Sequence, residues 1–205
     1  PIPLYVFYDH FWGYESPDGS FAQFTRVQVQ QMMARPKHLT WEESACYTLT
    51  LATAYQMLFG HHPHELKPGL NVLVWGVSGG LGSFAIQLIN SVVGNAIGVF
   101  FDKDKREFVM DLGAKGLLNR KEFHGLGQLP TVNIDEHKSW FSEVRKFGKV
   151  IWDITGKVSN VDMVFENPGE ATSPVFNFVC KKGGMVVFCN GTSGFNLTMD
   201  ARYVW

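Results

Sequence analysis

The sequence predicts an α/β fold built on a doubly wound parallel sheet. Three consecutive features carry this prediction: an apolar run at Val72–Trp75, a glycine-rich turn at 76–82, and an apolar pattern with helical period after the turn. A buried strand, a glycine turn and an amphipathic helix form, in this order, the start of a βαβ unit. With 205 residues, 45% of them hydrophobic, the chain is long enough for one large or two small globular domains.

The glycine turn has the spacing Gly76-x-x-Gly79-x-x-Gly82, which differs from the usual G-x-G-x-x-G. Glycines without a Cβ permit a tight turn, a close approach of backbone N–H groups to a pyrophosphate, and close packing of the helix on the strand. The positive end of the helix dipole then faces the anion. We therefore expect a dinucleotide site, and the alternative is a structural βα turn without a ligand. The expected cofactor contacts are Gly76, Ser78, Gly79, Gly80, Leu81 and Gly82.

Two elements are predicted before the glycine turn. Alternation of apolar and polar side chains predicts a strand at Phe21–Val29. A capping-box pattern at Thr40–Glu43 predicts a helix that runs toward Phe59. The apolar face of this helix is expected on Leu49, Ala52 and Leu58. One strand and one helix cannot close a core, so this part of the chain is expected to be an incomplete domain.

Strand and helix patterns alternate after the turn. Four further apolar runs predict strands at Ala96–Phe101, Gly116–Leu118, Val161–Phe165 and Met185–Cys189. Helical patterns predict helices at Asp104–Leu112, Asp135–Thr155 and Thr172–Val179. This alternation is typical of a parallel sheet, for which we expect the strand order 3-2-1-4-5. A complete sheet of this type has a sixth strand, so we expect the chain to be a fragment of a longer protein.

The end of the second strand bears on which dinucleotide binds. Sheets that bind NAD commonly place a carboxylate there for the ribose 2′-hydroxyl, whereas this chain has Phe100. Positively charged side chains follow at Lys103, Lys105, Arg106 and, after the third strand, Arg120. The missing acid and the added bases favour a 2′-phosphate and therefore NADPH. The alternative is that these are solvated charges at helix starts.

Composition excludes several classes of partner. A net charge of −1 gives no electrostatic reason to expect nucleic acid or an anionic membrane, and no apolar run approaches the length of a membrane span. The three cysteines include no C-x-x-C pair, which predicts reduced thiols and a cytoplasmic protein.

The H-H-P-H segment at 61–64 lies in a proline-broken loop without a cysteine partner, so no metal site is predicted. Without a metal to polarise a carbonyl, an activated alkene is the expected hydride acceptor.

Glu15 lies in an aromatic setting beside Tyr14, within the sequence FWGYES. An aromatic environment can shift the pKa of a carboxyl group and allow it to orient a water molecule. Glu15 is therefore a candidate catalytic residue. The alternative is an acid on a surface loop.

Several longer motifs resemble a known family. They are WGYESPDGSFAQF, VLVWGVSGGLGS, LGAKGLLNRKEF, FGKVIWDITGK, VDMVFENPGEAT and VCKKGGMVVFCNGTSGFN. Over residues 12–205 the chain resembles the crotonyl-CoA carboxylase/reductase family, within the medium-chain dehydrogenase/reductase superfamily. The resemblance implies part of a GroES-like catalytic domain with its linking helix at 1–60. It implies an NADPH-binding, Rossmann-type domain without its last strand at 61–205.

The resemblance also implies an activity, a zinc-independent reductive carboxylation. NADPH delivers hydride to the β-carbon of crotonyl-CoA, and the resulting α-carbanion attacks CO2 to give ethylmalonyl-CoA. Without CO2, protonation gives the saturated thioester. Members of the family are expected to form homo-oligomers, in this case a tetramer. The alternatives are a non-carboxylating enoyl-CoA or quinone reductase, and a cofactor-binding module without turnover.

The resemblance implies three groups of site residues. Tyr14 and Glu15 would hold CO2 and an ordered water molecule. Lys105 and Arg120 would hold the 2′-phosphate of NADPH. The residues expected against the nicotinamide are Thr50, Asn190, Gly191 and Thr192. The chain departs from the family pattern at Asn167, where the family has His, and at position 190, where it has Ala.

Overall fold

The computed structural model describes residues 12–101, 103–127, 129, 134–156, 158–189 and 191–203. The chain divides into two compact units, Pro1–Ala45 and Cys46–Trp205. Their boundary falls inside helix α1, which spans Trp41–Phe59. The domain division at residue 60 that the sequence suggests stays a prediction.

Among its described residues, the second unit contains one parallel sheet of five strands. The strands are β1 (Asn71–Trp75), β2 (Asn95–Phe100), β3 (Gly116–Asn119), β4 (Val161–Glu166) and β5 (Cys180–Phe188). Their order is β3-β2-β1-β4-β5, and every neighbouring pair is parallel. The predicted doubly wound, Rossmann-type α/β fold and its strand order are therefore confirmed. The fifth strand begins at Cys180, five residues earlier than the apolar run indicated.

Helices cover both faces of the sheet. After α1 they are α2 (Gly80–Ser91), α3 (Arg106–Asp111), α4 (Ile134–Thr155) and α5 (Ser173–Val179). Successive residues of a strand point to opposite faces. In β1, Val72 and Val74 pack in the core with α2 and the end of α1, whereas Leu73 and Trp75 pack in the core with α4 and α5. Burial on both faces explains why β1 is a continuous apolar run rather than an alternating one.

The strand predicted at Phe21–Val29 is wrong. Residues 21–24 form bends, 25–28 are irregular, and a 3-10 turn follows at Val29–Gln31. A strand is stable only when a neighbour pairs with its backbone. All strands within the described ranges belong to the sheet of the second unit, so this segment has no partner strand there. Phe21 and Phe24 are exposed, so the alternation in the sequence does not correspond to one buried face.

The apolar face predicted for α1 is also mostly wrong. Leu49 and Ala52 are exposed, and the buried residues of the helix are Ala54, Met57 and Leu58. Apolar side chains surround much of α1, so periodicity alone did not identify the face that packs on the sheet. Within the described part of the chain, no helix, α1 included, combines the length and apolar character that crossing a bilayer requires.

Gly148, in the middle of α4, offers a test of helix stability. A Cβ at this position would meet no heavy atom within 4 Å. Glycine in a helix interior is about 1 kcal/mol less favourable than alanine, so Gly148→Ala should raise the free energy of unfolding by about that amount in urea denaturation. Gly116→Ala should have the opposite effect and lower the free energy of unfolding, because its Cβ would lie 2.6 Å from the side chain of Ile154. Equal effects of the two substitutions would contradict this account.

Candidate functional site

The glycine turn connects β1 to α2 at the carboxyl edge of the sheet. Gly76 has φ +65°, a left-handed conformation that favours glycine. The amide of Gly79 donates a hydrogen bond to the carbonyl of Gly76 at 3.0 Å and closes the turn. A Cβ at Gly82 would lie only 2.5 Å from the Gly76 carbonyl oxygen and 2.7 Å from the Cα of Val77. Only glycine at position 82 therefore allows α2 to begin so close to the end of β1.

The N-terminus of α2 can accept an anion. Its N-cap residue, Gly79, has no side chain to cap the first amides of the helix, and Gly79 and Gly80 are both exposed. Uncapped amides and the positive end of the helix dipole bind phosphate groups. Ser78 and Leu81 lie half-buried in the same turn. An anion such as the pyrophosphate of a dinucleotide would fit here, and the role of these residues in binding it stays a prediction.

Thr50 of α1 lies beside this N-terminus. Its Cγ2 is 3.4 Å from the position that a Cβ at Gly80 would occupy. The Thr50 hydroxyl donates to the carbonyl of Tyr47 at 3.3 Å within the helix. The fold thus brings Thr50 to the glycine turn, 30 residues along the chain from Gly80. Its contact with the nicotinamide stays a prediction.

Basic residues follow the ends of both β2 and β3. The strand ends at buried Phe100, and the exposed Phe101 ring lies 4.3 Å below the Nζ of Lys121. Lys105 is exposed at the N-cap of α3. Sequence reasoning missed Lys121, although the adjacent basic pair at 120–121 was the available signal.

Arg120, which follows β3, contacts residues at the ends of β1 and β4. Its Nη2 donates to the carbonyl of Ala171, after β4, at 3.0 Å. The guanidinium carbon lies 5.9 Å from the ring centroid of Trp75. Arg120 therefore connects the end of β3 to the loop between β4 and α5, and its role toward a 2′-phosphate stays a prediction.

Glu166, the last residue of β4, is a buried carboxyl group that sequence reasoning missed. It is 0% exposed. Its Oε1 accepts hydrogen bonds from the amide of Gly169 at 2.9 Å and from the hydroxyl of Thr172 at 2.7 Å. Burial raises the pKa of Glu166 to about 7, and these hydrogen bonds and the Arg120 charge oppose part of the rise. The sequence signal was a single glutamate at the end of an apolar strand, which commonly lies at a solvated strand end.

Asn167 faces the glycine turn. Its Nδ2 lies 3.9 Å from the position of a Cβ on Gly76. Its Oδ1 is buried and accepts no hydrogen bond from the described residues. An amide oxygen in this condition fits a site that a donor group of a ligand completes. The carboxyl ends of β1 and β4 thus bring together residues 91 positions apart.

The loop after β5 is connected to the loop after β4. The hydroxyl and the amide of Ser193 both donate to the carbonyl of Pro168, at 2.7 and 2.8 Å. The amide of Glu170 donates to the carbonyl of Gly194 at 3.1 Å. In this second loop Gly191 is buried and Thr192 is exposed, whereas Asn190 lies outside the described residues. The two loops therefore form one hydrogen-bonded assembly at the carboxyl edge.

Tyr14 and Glu15 belong to the first compact unit. They lie in a turn over residues 12–15, in which both side chains are exposed. The amide of Gly13 donates to the hydroxyl of Ser16 at 3.1 Å, which closes this turn locally. The catalytic role of Tyr14 and Glu15 stays a prediction. Across the described ranges, no group of three or more His, Cys, Asp or Glu side chains is placed to hold a metal ion.

Known proteins resemble the chain closely over nearly its whole length. It is 70% identical over 203 residues to a crotonyl-CoA carboxylase/reductase of Cereibacter sphaeroides. That match covers 99% of this chain and 47% of the other protein. It is 38% identical over 195 residues to a crotonyl-CoA reductase of Streptomyces collinus, covering 95% of this chain and 42% of that protein. The chain spans about half the length of the curated relatives it matches. No family model matches the chain.

Solved structures of crotonyl-CoA carboxylase/reductases also resemble the chain over nearly its whole length. A crotonyl-CoA carboxylase/reductase superposes with a TM-score of 0.93 at 67% identity, over 96% of this chain and 46% of the other. The crotonyl-CoA carboxylase/reductase AntE, solved in complex with NADP, superposes with a TM-score of 0.92 at 42% identity. That match covers 95% of this chain and 48% of AntE.

Proposed function

The chain belongs to the crotonyl-CoA carboxylase/reductase family, and on that basis we propose that it binds NADPH as part of an enoyl-CoA carboxylase/reductase. The single observation that carries this proposal is the uncapped N-terminus of α2, which Gly82 holds against the glycine turn. The NADP in the AntE complex supports the choice of cofactor. The reaction proposed for the whole protein converts crotonyl-CoA, CO2 and NADPH into ethylmalonyl-CoA and NADP+.

Different residues of the chain would bind different parts of the cofactor. The turn from Gly76 to Gly82 and the first amides of α2 would hold the pyrophosphate. Thr50 and Asn167 flank this turn and would lie along the cofactor. The positively charged side chains near the end of β2 would hold the 2′-phosphate through charge-assisted hydrogen bonds. When bound, NADPH supplies a hydride for the β-carbon of an enoyl thioester.

The residues that would act on substrate and CO2 are proposed from the family resemblance. Tyr14 and Glu15 would hold CO2 and an ordered water molecule. The loop at 190–192 would lie against the nicotinamide, so that its Gly191 and Thr192 shape the pocket. A pocket that excludes stray proton donors favours carboxylation of the enolate over its protonation.

The biological setting is likewise a proposal. Enoyl-CoA and CO2 would be the substrates, and the whole protein would assemble as a homo-oligomer, in this case a tetramer. A cytoplasmic location is supported by three cysteines that form no disulfide. A non-carboxylating enoyl-CoA or quinone reductase, or a cofactor-binding module without turnover, would share the same glycine turn. Product analysis with and without bicarbonate separates these alternatives.

The first experiment is a fluorescence titration of the chain with NADPH and, separately, NADH. We expect NADPH to bind more tightly. Lys105→Ala should weaken NADPH binding by about threefold to tenfold and leave NADH binding unchanged, because only NADPH carries the 2′-phosphate. Lys115→Ala is the matched control. It removes the same charge beside Asn95, where β2 begins, at the opposite edge of the sheet.

Two results would contradict the cofactor proposal. One is preferential binding of NADH. The other is an equal loss of both cofactors in Lys105→Ala, which would indicate a general effect on the fold instead of recognition of the 2′-phosphate. If NADPH binds, crotonyl-CoA and bicarbonate are added next and the oxidation of NADPH is followed. Ethylmalonyl-CoA as the product would support carboxylation.

A further inference from the structure

Glu166 is unusual among the acidic residues of the chain. Among the described residues it is the only acidic or basic side chain that is buried. A buried carboxylate is costly unless its charge and both oxygens are compensated. Its Oε1 accepts two hydrogen bonds, but its Oε2 accepts none from the described residues. The loop that it supports lies at the proposed cofactor site.

The hydrogen bonds of Glu166 hold the loop after β4 from the inside. The amide of Gly169, three residues further on, and the hydroxyl of Thr172, at the N-cap of α5, both donate to the same oxygen. Gly169 has φ +90°, so the chain turns back over the carboxyl group. The loop thus folds around one oxygen atom of Glu166.

Other contacts hold the same loop from the outside. Ser193 donates twice to the carbonyl of Pro168, and the carbonyl of Gly194 accepts from the amide of Glu170. Arg120 donates to the carbonyl of Ala171. With the backbone held from both sides, the side chain of Asn167 is directed toward Gly76 of the glycine turn. The position of Asn167 depends on the same loop that Glu166 supports.

The groups that face the Glu166 carboxyl favour the anion only in part. They are the amides of Asn167 and Gly169, the hydroxyl of Thr172 on α5, and the Arg120 guanidinium that follows β3. Arg120 is already engaged by the carbonyl of Ala171. Burial outweighs them all and raises the pKa of Glu166 to about 7. A proton on Oε2 removes the buried charge and leaves both hydrogen bonds to Oε1 in place.

We propose that Glu166 is a positioning residue that, with a proton on Oε2, holds the loop after β4 so that Asn167 lies against the cofactor beside the glycine turn. This inference rests on the proposed binding of NADPH. It adds a pH-dependent element to that binding, because ionisation of Glu166 places under the loop a charge that its neighbours compensate only in part. Ionisation of Glu166 should therefore lower the affinity for NADPH as well as the free energy of unfolding.

The test is the NADPH affinity of the chain as a function of pH. Between about pH 6 and about pH 8.5, the affinity of the unchanged chain should fall by about fivefold to tenfold more than that of Glu166→Gln. Glutamine keeps an acceptor oxygen for Gly169 and Thr172 but carries no charge at any pH. Glu170→Gln is the matched control, since it removes a carboxylate from the same loop where the group is half-buried. Its profile should match that of the unchanged chain.

Thr172→Val provides a second and independent variant. It removes one donor to Oε1 and should move the midpoint of the pH profile upward, because that hydrogen bond favours the carboxylate. If the role of Glu166 were purely structural, Glu166→Gln would lower the affinity for NADPH by the same factor at every pH. Thr172→Val would then not move the midpoint of the pH profile. Parallel pH profiles of the unchanged chain and Glu166→Gln would overturn the inference while leaving NADPH binding intact. A folded chain that binds NADPH at no pH would overturn the proposed function and this inference together.

Discussion

Gly82→Ala should weaken NADPH binding by about a hundredfold, the largest effect we expect from a single substitution on affinity. The added Cβ would lie 2.5 Å from the carbonyl oxygen of Gly76 and 2.7 Å from the Cα of Val77. Both atoms belong to the backbone, so no side chain can rotate to relieve the contact. The N-terminus of α2 must move away from the turn, and the amides that would hold the pyrophosphate move with it. Fluorescence titration with NADPH measures the loss.

Gly148→Ala is the matched control for this experiment. It makes the same chemical change inside another helix, where the new Cβ meets nothing within 4 Å. Its affinity for NADPH should equal that of the unchanged chain. Full affinity in Gly82→Ala would show that close packing of α2 on the turn is not required, and circular dichroism of both variants separates lost binding from lost folding.

The unchanged chain should lose up to about 3 kcal/mol of stability relative to Glu166→Gln as the pH rises from about 4.5 to about 7.5. The folded-state pKa of Glu166 is about 7, above the ordinary value of 4.5. Between these values the folded chain binds more protons than the unfolded chain, so its contribution is fully present below pH 4.5 and is lost as the pH rises through 7. Urea denaturation of both chains at a series of pH values measures the difference.

Glu143→Gln is a useful comparison with opposite sign. Lys146 lowers the pKa of Glu143, so any stability that this group contributes is lost as the pH falls instead of as it rises. Its effect should be small, because the pair lies at the surface. If the stability curves of Glu166→Gln and the unchanged chain run parallel, Glu166 does not titrate in the folded chain as its burial requires.

Local patterns were sufficient to predict most of the sheet. The apolar run at 72–75 and the glycine turn identified the central strand and the start of α2, and the alternation of elements led to the observed strand order. The same kind of pattern failed at Phe21–Val29, because alternation indicates a strand only where another strand is available to pair with it. It failed again on α1, where several faces of the helix are apolar.

What the sequence by itself determined is the part that depends on neighbouring residues: the strands, the helices and the glycine turn that separates them. Tertiary structure alone decided which side chains meet at the carboxyl edge. It placed Thr50 against Gly80, Asn167 against Gly76, and Lys121 over Phe101. It also buried Glu166, which nothing in the local sequence distinguishes from a solvated strand end. The physical reason is that parallel strands bring their carboxyl ends to one edge, so contacts there join residues that lie far apart along the chain.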